Sequence, residues 1–250
     1  MLDKYRLEDY NIVKRNYRGN KVLVIGGFIL SIGTLPLWYI LLKFNYIDYN
    51  IFSRYIFIGL MVGTTGFLDD IAGNKEYQGL KGHFVSLFRG KLTTGIIKVI
   101  VISFSAILLV TSNMVFSLEE SILDIGIIIL STNFLNLLDL RPGRSIKFFL
   151  IISFFLLNRG KVWLYFLPYY LIIFLYLPYE LKGLLMLGDS GANILGFVLA
   201  YTLVNSGVSI KVKYIILLSL FIITIISEKY SYSSIIKKNR VLNWLDQLGR

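Results

Sequence analysis

Long apolar runs alternate with short polar connections along almost the whole chain. The runs fall at 22–42, 54–68, 92–112, 121–138, 146–157, 162–177, 192–204 and 212–227. Each is about the length needed to cross roughly 30 Å of hydrocarbon, or somewhat shorter. They are apolar on every side, whereas the strands of a membrane barrel alternate with a polar lumen face. The pattern predicts an all-α polytopic transmembrane helix bundle of about eight spans. The stretch 146–177 is interrupted only at 158–161, so it reads as a short hairpin or one bent pair, and seven or nine spans remain open. Residues 1–250 read as one integral membrane domain, with a polar N-terminal segment at 1–21 and a basic tail at 228–250.

Composition agrees with this pattern. Apolar residues make up 56% of the chain and charged residues only 16%, against roughly 25% charged in a soluble domain. A disordered chain is excluded, and the composition argues strongly against an ordinary soluble enzyme. There is no Cys and one His, His83, which excludes disulfides, Cys-ligated metal and a multi-His metal centre.

The net charge is +11, from 26 Lys+Arg against 15 Asp+Glu. An even number of spans puts both termini on one side. With the N-terminus inside, most of the Lys and Arg fall in the inner segments 1–21, 69–91, 139–145, 178–191 and 228–250. The positive-inside rule then predicts cytoplasmic termini in the plasma membrane. The surplus charge reports orientation and attraction to anionic headgroups. No basic soluble module exists, so nucleic acid is not an expected partner. The first run lacks a small-residue cleavage site and is not read as a signal peptide.

Acidic residues at membrane depth are costly and mark functional candidates. Asp3, Glu8, Asp9, Asp48, Glu76, Glu119, Glu120 and Asp246 lie in polar segments and read as solvated. Four others stand apart. Asp69 and Asp70 end the second span in GFLDDIAGN, Asp139 ends the fourth in STNFLNLLDLRPGR, and Asp189 precedes the seventh in LMLGDSGANILG. The predicted topology brings all four to the cytoplasmic face. Such a set suits a hard divalent cation, since Mg²⁺ takes oxygen ligands from one or two carboxylates and from phosphates. Ordinary interfacial helix ends are the competing explanation. An Asp at a helix C-terminus opposes the helix dipole, which weighs against it for Asp69, Asp70 and Asp139. Asp189, at a helix start, reads equally as an N-cap.

Asn133, Asn136 and Asp139 follow one another at three-residue spacing along one helix face. They suit a nucleotide or sugar contact, or interhelical hydrogen bonding. The inner loop 69–91 carries Lys75, Lys81 and His83 among glycines, a composition suited to phosphate. Basic inner loops are also the topological norm. Gly26, Gly27 and Gly196 fit close helix packing at least as well as ligand approach.

Together, GFLDD, NFLNLLD and LGDSGANILG resemble the polyprenyl-phosphate N-acetylhexosamine-1-phosphate transferases of glycosyltransferase family 4, over about 26–227. The resemblance implies transfer of a sugar-1-phosphate from a UDP-activated amino sugar to polyprenyl phosphate, with release of UMP, in bacterial cell-wall and envelope glycan biogenesis. It implies Mg²⁺, with Mn²⁺ as a substitute. By motif, Asp69 and Asp70 match the family's lipid-phosphate and metal pair, Asp189 a metal ligand, and Asn133, Asn136 and Asp139 the motif near the nucleotide. Asp139 joins Asp69 and Asp70 as a catalytic candidate. A homodimer is among the expected partners.

The chain also departs from the family. The family usually has ten spans, and its His-rich cytoplasmic loop has no counterpart in the tail at 228–250. Its second Asp after Asp139 is replaced by Arg141-Pro142-Gly143-Arg144, where Arg141 and Arg144 become candidate diphosphate clamps. The alternative is a non-catalytic polyprenyl-phosphate-binding or scaffold protein with the same fold. A transporter would place charges in mid-span, and the candidates Lys98 and Asp124 read as lying near span ends.

Overall fold

A computed structural model of the chain describes residues 12–72, 93–112 and 117–250. In chain order the elements are β1 (Val13–Arg15), β2 (Lys21–Val24), α1 (Gly26–Lys43), α2 (Tyr49–Ala72), α3 (Thr94–Thr111), α4 (Leu118–Leu138), α5 (Arg144–Leu156), α6 (Val162–Leu181), β3 (Leu185–Met186), α7 (Gly188–Val204), α8 (Ile210–Lys229), α9 (Tyr232–Lys238) and α10 (Arg240–Gln247). The molecule is mostly helical. Among the described residues six helices, α1, α2, α3, α4, α6 and α8, are long and apolar enough to cross a membrane. The other two predicted runs also form helices, but α5 and α7 have only 13 and 17 residues. At 1.5 Å per residue they are about 20 and 25 Å long.

The three short strands depart from the all-helical expectation. β1 and β2 form an antiparallel hairpin, and β3 adds in parallel, with Leu23 opposite Leu185 and Val24 opposite Met186. Strands this short leave no readable period in the sequence. The first apolar run thus divides, its first residues joining β2 and the helix starting at Gly26.

Helix α7 is the centre of the molecule. From Ser190 to Val204 every residue except Leu203 is buried, as befits a helix that is apolar all round. Helices α1, α2, α4 and α5 surround it, and missing side chains set their distance. A Cβ at Gly66 of α2 would lie 2.4 Å from the Ser190 Cα, and one at Gly196 would lie 2.7 Å from the Thr132 Cα of α4. The close-packing reading of Gly196 is the one the fold shows. By contrast, α8 buries only Lys213, Leu220 and Thr224. Phe104, Phe155, Phe174 and Leu218 stand exposed on the outer surface, where a bilayer would solvate them.

Glu119, Glu120 and Asp246, read as solvated, have partners on other helices, and Asp124, read as lying near a span end, is internal. Lys213 of α8 reaches Asp124 and Glu120 of α4 at 2.8 Å each, and Lys213 and Asp124 are both 1% exposed. Tyr214 donates to Glu119 beside them. Asp246, also expected in water, accepts from the Arg144 guanidinium at 2.8 and 3.0 Å. Long charged side chains can bury when paired, and no local pattern announces a partner this distant in sequence.

Candidate functional site

The end of α2, the start of α3, the end of α4, the end of α6 and the start of α7 meet at one end of the bundle. Asp70 is buried there, at 6% exposure. Its carboxylate accepts the N–H groups of Asp189 at 3.2 Å and Ser190 at 3.1 Å. It therefore caps α7 from another helix, satisfying donors that an α-helix N-terminus leaves unpaired. Gly188 sits beside it at φ +74°, and a Cβ there would approach the Asp70 Oδ2 to 2.7 Å. Glycine is required for both the left-handed backbone and the close approach. Asp70 opposes the dipole of its own helix but complements that of α7. The N-cap role considered for Asp189 thus belongs to Asp70.

Two lysines neutralise the acids. Lys14, carried in by β1, donates to Asp70 at 2.9 Å. Lys98, one turn into α3, donates to Asp69 at 2.6 Å and to Asp189 at 2.5 Å. Asp69 also accepts from the Thr94 hydroxyl at 2.6 Å. Asp189 is the most open of these acids, with its side chain 37% exposed against 14% for Asp69 and 4% for Asp70.

Asp139, the residue after α4, joins the group from the other side. Burial, and then the negative charges of Glu180, Asp189 and Asp70, push its carboxyl well above the usual range, against a hydrogen bond from the Gly188 N–H. Glu180 is 1% exposed and accepts the Gly143 N–H at 2.6 Å. Gly143, at φ +74°, provides the turn that opens α5. A cavity of about 40 Å³ lies between Asn16, Tyr17, Asp139, Arg141 and Glu180, enough for ordered water. Arg141 stacks over the Tyr17 ring at 5.0 Å from its centroid.

The structure therefore brings Asp69, Asp70, Asp139 and Asp189 to one place, with Arg141 at its edge. Asn133 and Asn136 are half-buried on α4, and the Asn136 Oδ1 is buried with no hydrogen bond among the described residues. Arg144 is not brought there. It is 7% exposed and its guanidinium is taken by Asp246 and Ser233, so it does not present a free clamp to diphosphate. Lys75, Lys81 and His83 lie outside the described residues.

Sequence reasoning missed Lys14, Lys98 and Glu180 as members of the cluster. Lys98 had a readable signal, a lone cation in the first turn of an otherwise apolar span. Glu180 had none, because it falls in the predicted inner segment 178–191, where a charge is unremarkable.

Among the described residues, no group of three or more His, Cys, Asp and Glu is arranged to hold a metal. The donor chemistry of Asp69 and Asp189 nonetheless fits a hard cation, since both carboxylates converge on the single positive centre of the Lys98 ammonium. Compared with models of protein families, with curated proteins and with solved structures, the chain matches none.

Proposed function

We propose that the chain is a phosphoglycosyl transferase of the plasma membrane, with eight spans, both termini in the cytoplasm and the acid cluster on the cytoplasmic face. It transfers a sugar-1-phosphate from a UDP-activated amino sugar to polyprenyl phosphate. The observation that carries this reading is the convergence of acids at one bundle end, with Asp69 and Asp189 on Lys98, Asp70 on Lys14, and Asp139 beside Gly188 from the other side. A scaffold has little use for acids gathered at that depth.

In this reaction a lipid-phosphate oxygen attacks the β-phosphorus of the UDP-sugar. A P–O bond forms there, the bond to the α-phosphate oxygen breaks, and UMP leaves. Phosphoryl transfer asks for positioning and charge neutralisation more than for covalent help. Lys14 and Lys98 supply positive charge for the phosphates. Asp69 and Asp189 would hold Mg²⁺, which when bound neutralises diphosphate charge. Asp70 keeps the start of α7, and with it Asp189, in place. Asn136 offers a side-chain oxygen, without a hydrogen bond among the described residues, to a sugar or base donor.

The test is to incubate purified protein with polyprenyl phosphate, Mg²⁺ and a panel of UDP-sugars and to measure UMP. Release is expected with at least one sugar and is lost in Asp189→Asn. No UMP across the panel, or equal UMP from Asp189→Asn, defeats the proposal.

A second reading has one observation in its favour. The acids already hold lysine partners at 2.5 to 2.9 Å, as a structural network would. A non-catalytic polyprenyl-phosphate-binding protein would retain the lipid and yield no UMP.

A further inference from the structure

Helices α9 and α10 differ from the other helices among the described residues. They have seven and eight residues, and α10 is strongly amphipathic where the long helices are apolar. One side of the pair is committed to the bundle. Ile235, Ile236, Leu242 and Leu245 roof an apolar cavity of about 370 Å³ floored by Phe134 and Phe148. Asp246 takes the Arg144 guanidinium, and the Lys147 ammonium donates to the carbonyls of Leu245 and Asp246 at 3.0 and 2.9 Å. Arg250 donates to the Pro142 carbonyl at 2.9 Å. These contacts set the rotation of α10 about its axis.

That rotation leaves a second stripe facing away. Val241, Trp244 and Leu248 recur at i, i+3 and i+7, on one helix face, and are 67, 62 and 51% exposed. Lys237, Lys238 and Arg240 stand exposed beside them, and Lys229 is exposed at the end of α8. The only acid after Glu228 is Asp246, which Arg144 and Arg250 occupy. With Glu228 the one exposed acid beside Lys229, the surplus on this surface is positive. A second copy would bring the same cations against it and be repelled, whereas an anionic surface complements it.

We propose that α9–α10 is an interfacial hairpin that docks on the anionic phospholipid headgroups of the leaflet where α8 ends. Val241, Trp244 and Leu248 seat at the boundary between headgroups and acyl chains, and Lys237, Lys238 and Arg240 contact lipid phosphates. A helix with aromatic and aliphatic residues on one face and cations on the other lies in the membrane plane, and Trp favours that boundary. This rests on α8 crossing a membrane and is independent of any transferase activity.

The chain has no Cys, so a single introduced one reports without background. Val241→Cys and, separately, Gln247→Cys are made in the full chain, spin-labelled, and reconstituted in nanodiscs of phosphatidylcholine with or without phosphatidylglycerol. The position-241 label is expected to favour dissolved oxygen over a water-soluble nickel chelate, more strongly in the anionic bilayer. The position-247 label, on the polar side, should stay open to chelate in both. Replacing Lys237, Lys238 and Arg240 by Ala, with helical content unchanged by circular dichroism, should abolish the difference between bilayers. Equal chelate access at both positions overturns the proposal. So does shielding at position 241 that ignores lipid charge, or that comes with spin–spin broadening between copies.

Discussion

The carboxylate of Asp70, at the end of α2, accepts the Ser190 N–H of α7 at 3.1 Å, across 120 positions of chain. With the parallel bond from Asp189 N–H at 3.2 Å, it makes one side chain the cap of the central helix. Asp70→Ala removes the cap and strands Lys14. Replacing a capping or charge-bearing acceptor costs about 2 kcal/mol. Asp70→Asn keeps an acceptor oxygen and should lose less. Thermal unfolding in detergent, followed by circular dichroism, reads both.

Asp189 should behave in the opposite way. Its side chain is 37% exposed, and its one cation, Lys98, keeps Asp69 as a partner when Asp189 is neutralised. Asp189→Asn is expected to leave the melting temperature nearly unchanged while abolishing UMP release. A large drop in melting temperature would assign Asp189 to the fold instead.

Lys98 joins Asp69 and Asp189, so its loss leaves two carboxylates without their cation. Lys98→Met is expected to destabilise by about 1 to 2 kcal/mol, between the scales for exposed and buried pairs, because these partners are only part-buried. Lys98→Arg should recover part of this. A denaturant titration of the three proteins under identical detergent conditions tests the order.

At the far end of the bundle, Lys213→Met leaves Asp124, 1% exposed, as an uncompensated charge. A loss of about 3 to 5 kcal/mol is expected. The double variant Lys213→Met with Asp124→Leu should regain most of it, because the desolvation cost disappears with the second charge. A double variant no more stable than the single one would show that the ion pair does more than neutralise.

The tail responds to acid. Burial alone would raise the Asp246 carboxyl, but Arg144 and Arg250 outweigh it and hold the group below its ordinary value. The stability it contributes is present above the ordinary Asp value of about 3.9. It is lost as pH falls through the lowered folded value. Hydrogen exchange of α10 should therefore quicken in that acid range, and Asp246→Asn should remove the dependence.

Much of this protein was legible along one dimension. The length and all-round apolarity of the runs predicted helices of membrane-crossing size, because span length and helical period are local properties of the chain. The outlying acids Asp69, Asp70, Asp139 and Asp189 were legible too, as acids at the ends of apolar runs, and the fold gathers them at one end of the bundle. Pairing was not legible. That Asp70 caps α7, that Lys98 sits between two acids, that Glu180 is buried beneath Gly143, and that Arg144 belongs to Asp246 rather than to a substrate all depend on which helices touch and how each is rotated. A hydrophobic pattern that is apolar all round carries no preferred face. The tertiary packing chose the faces, through the gaps left by Gly66 and Gly196 and through ion pairs between residues remote in sequence.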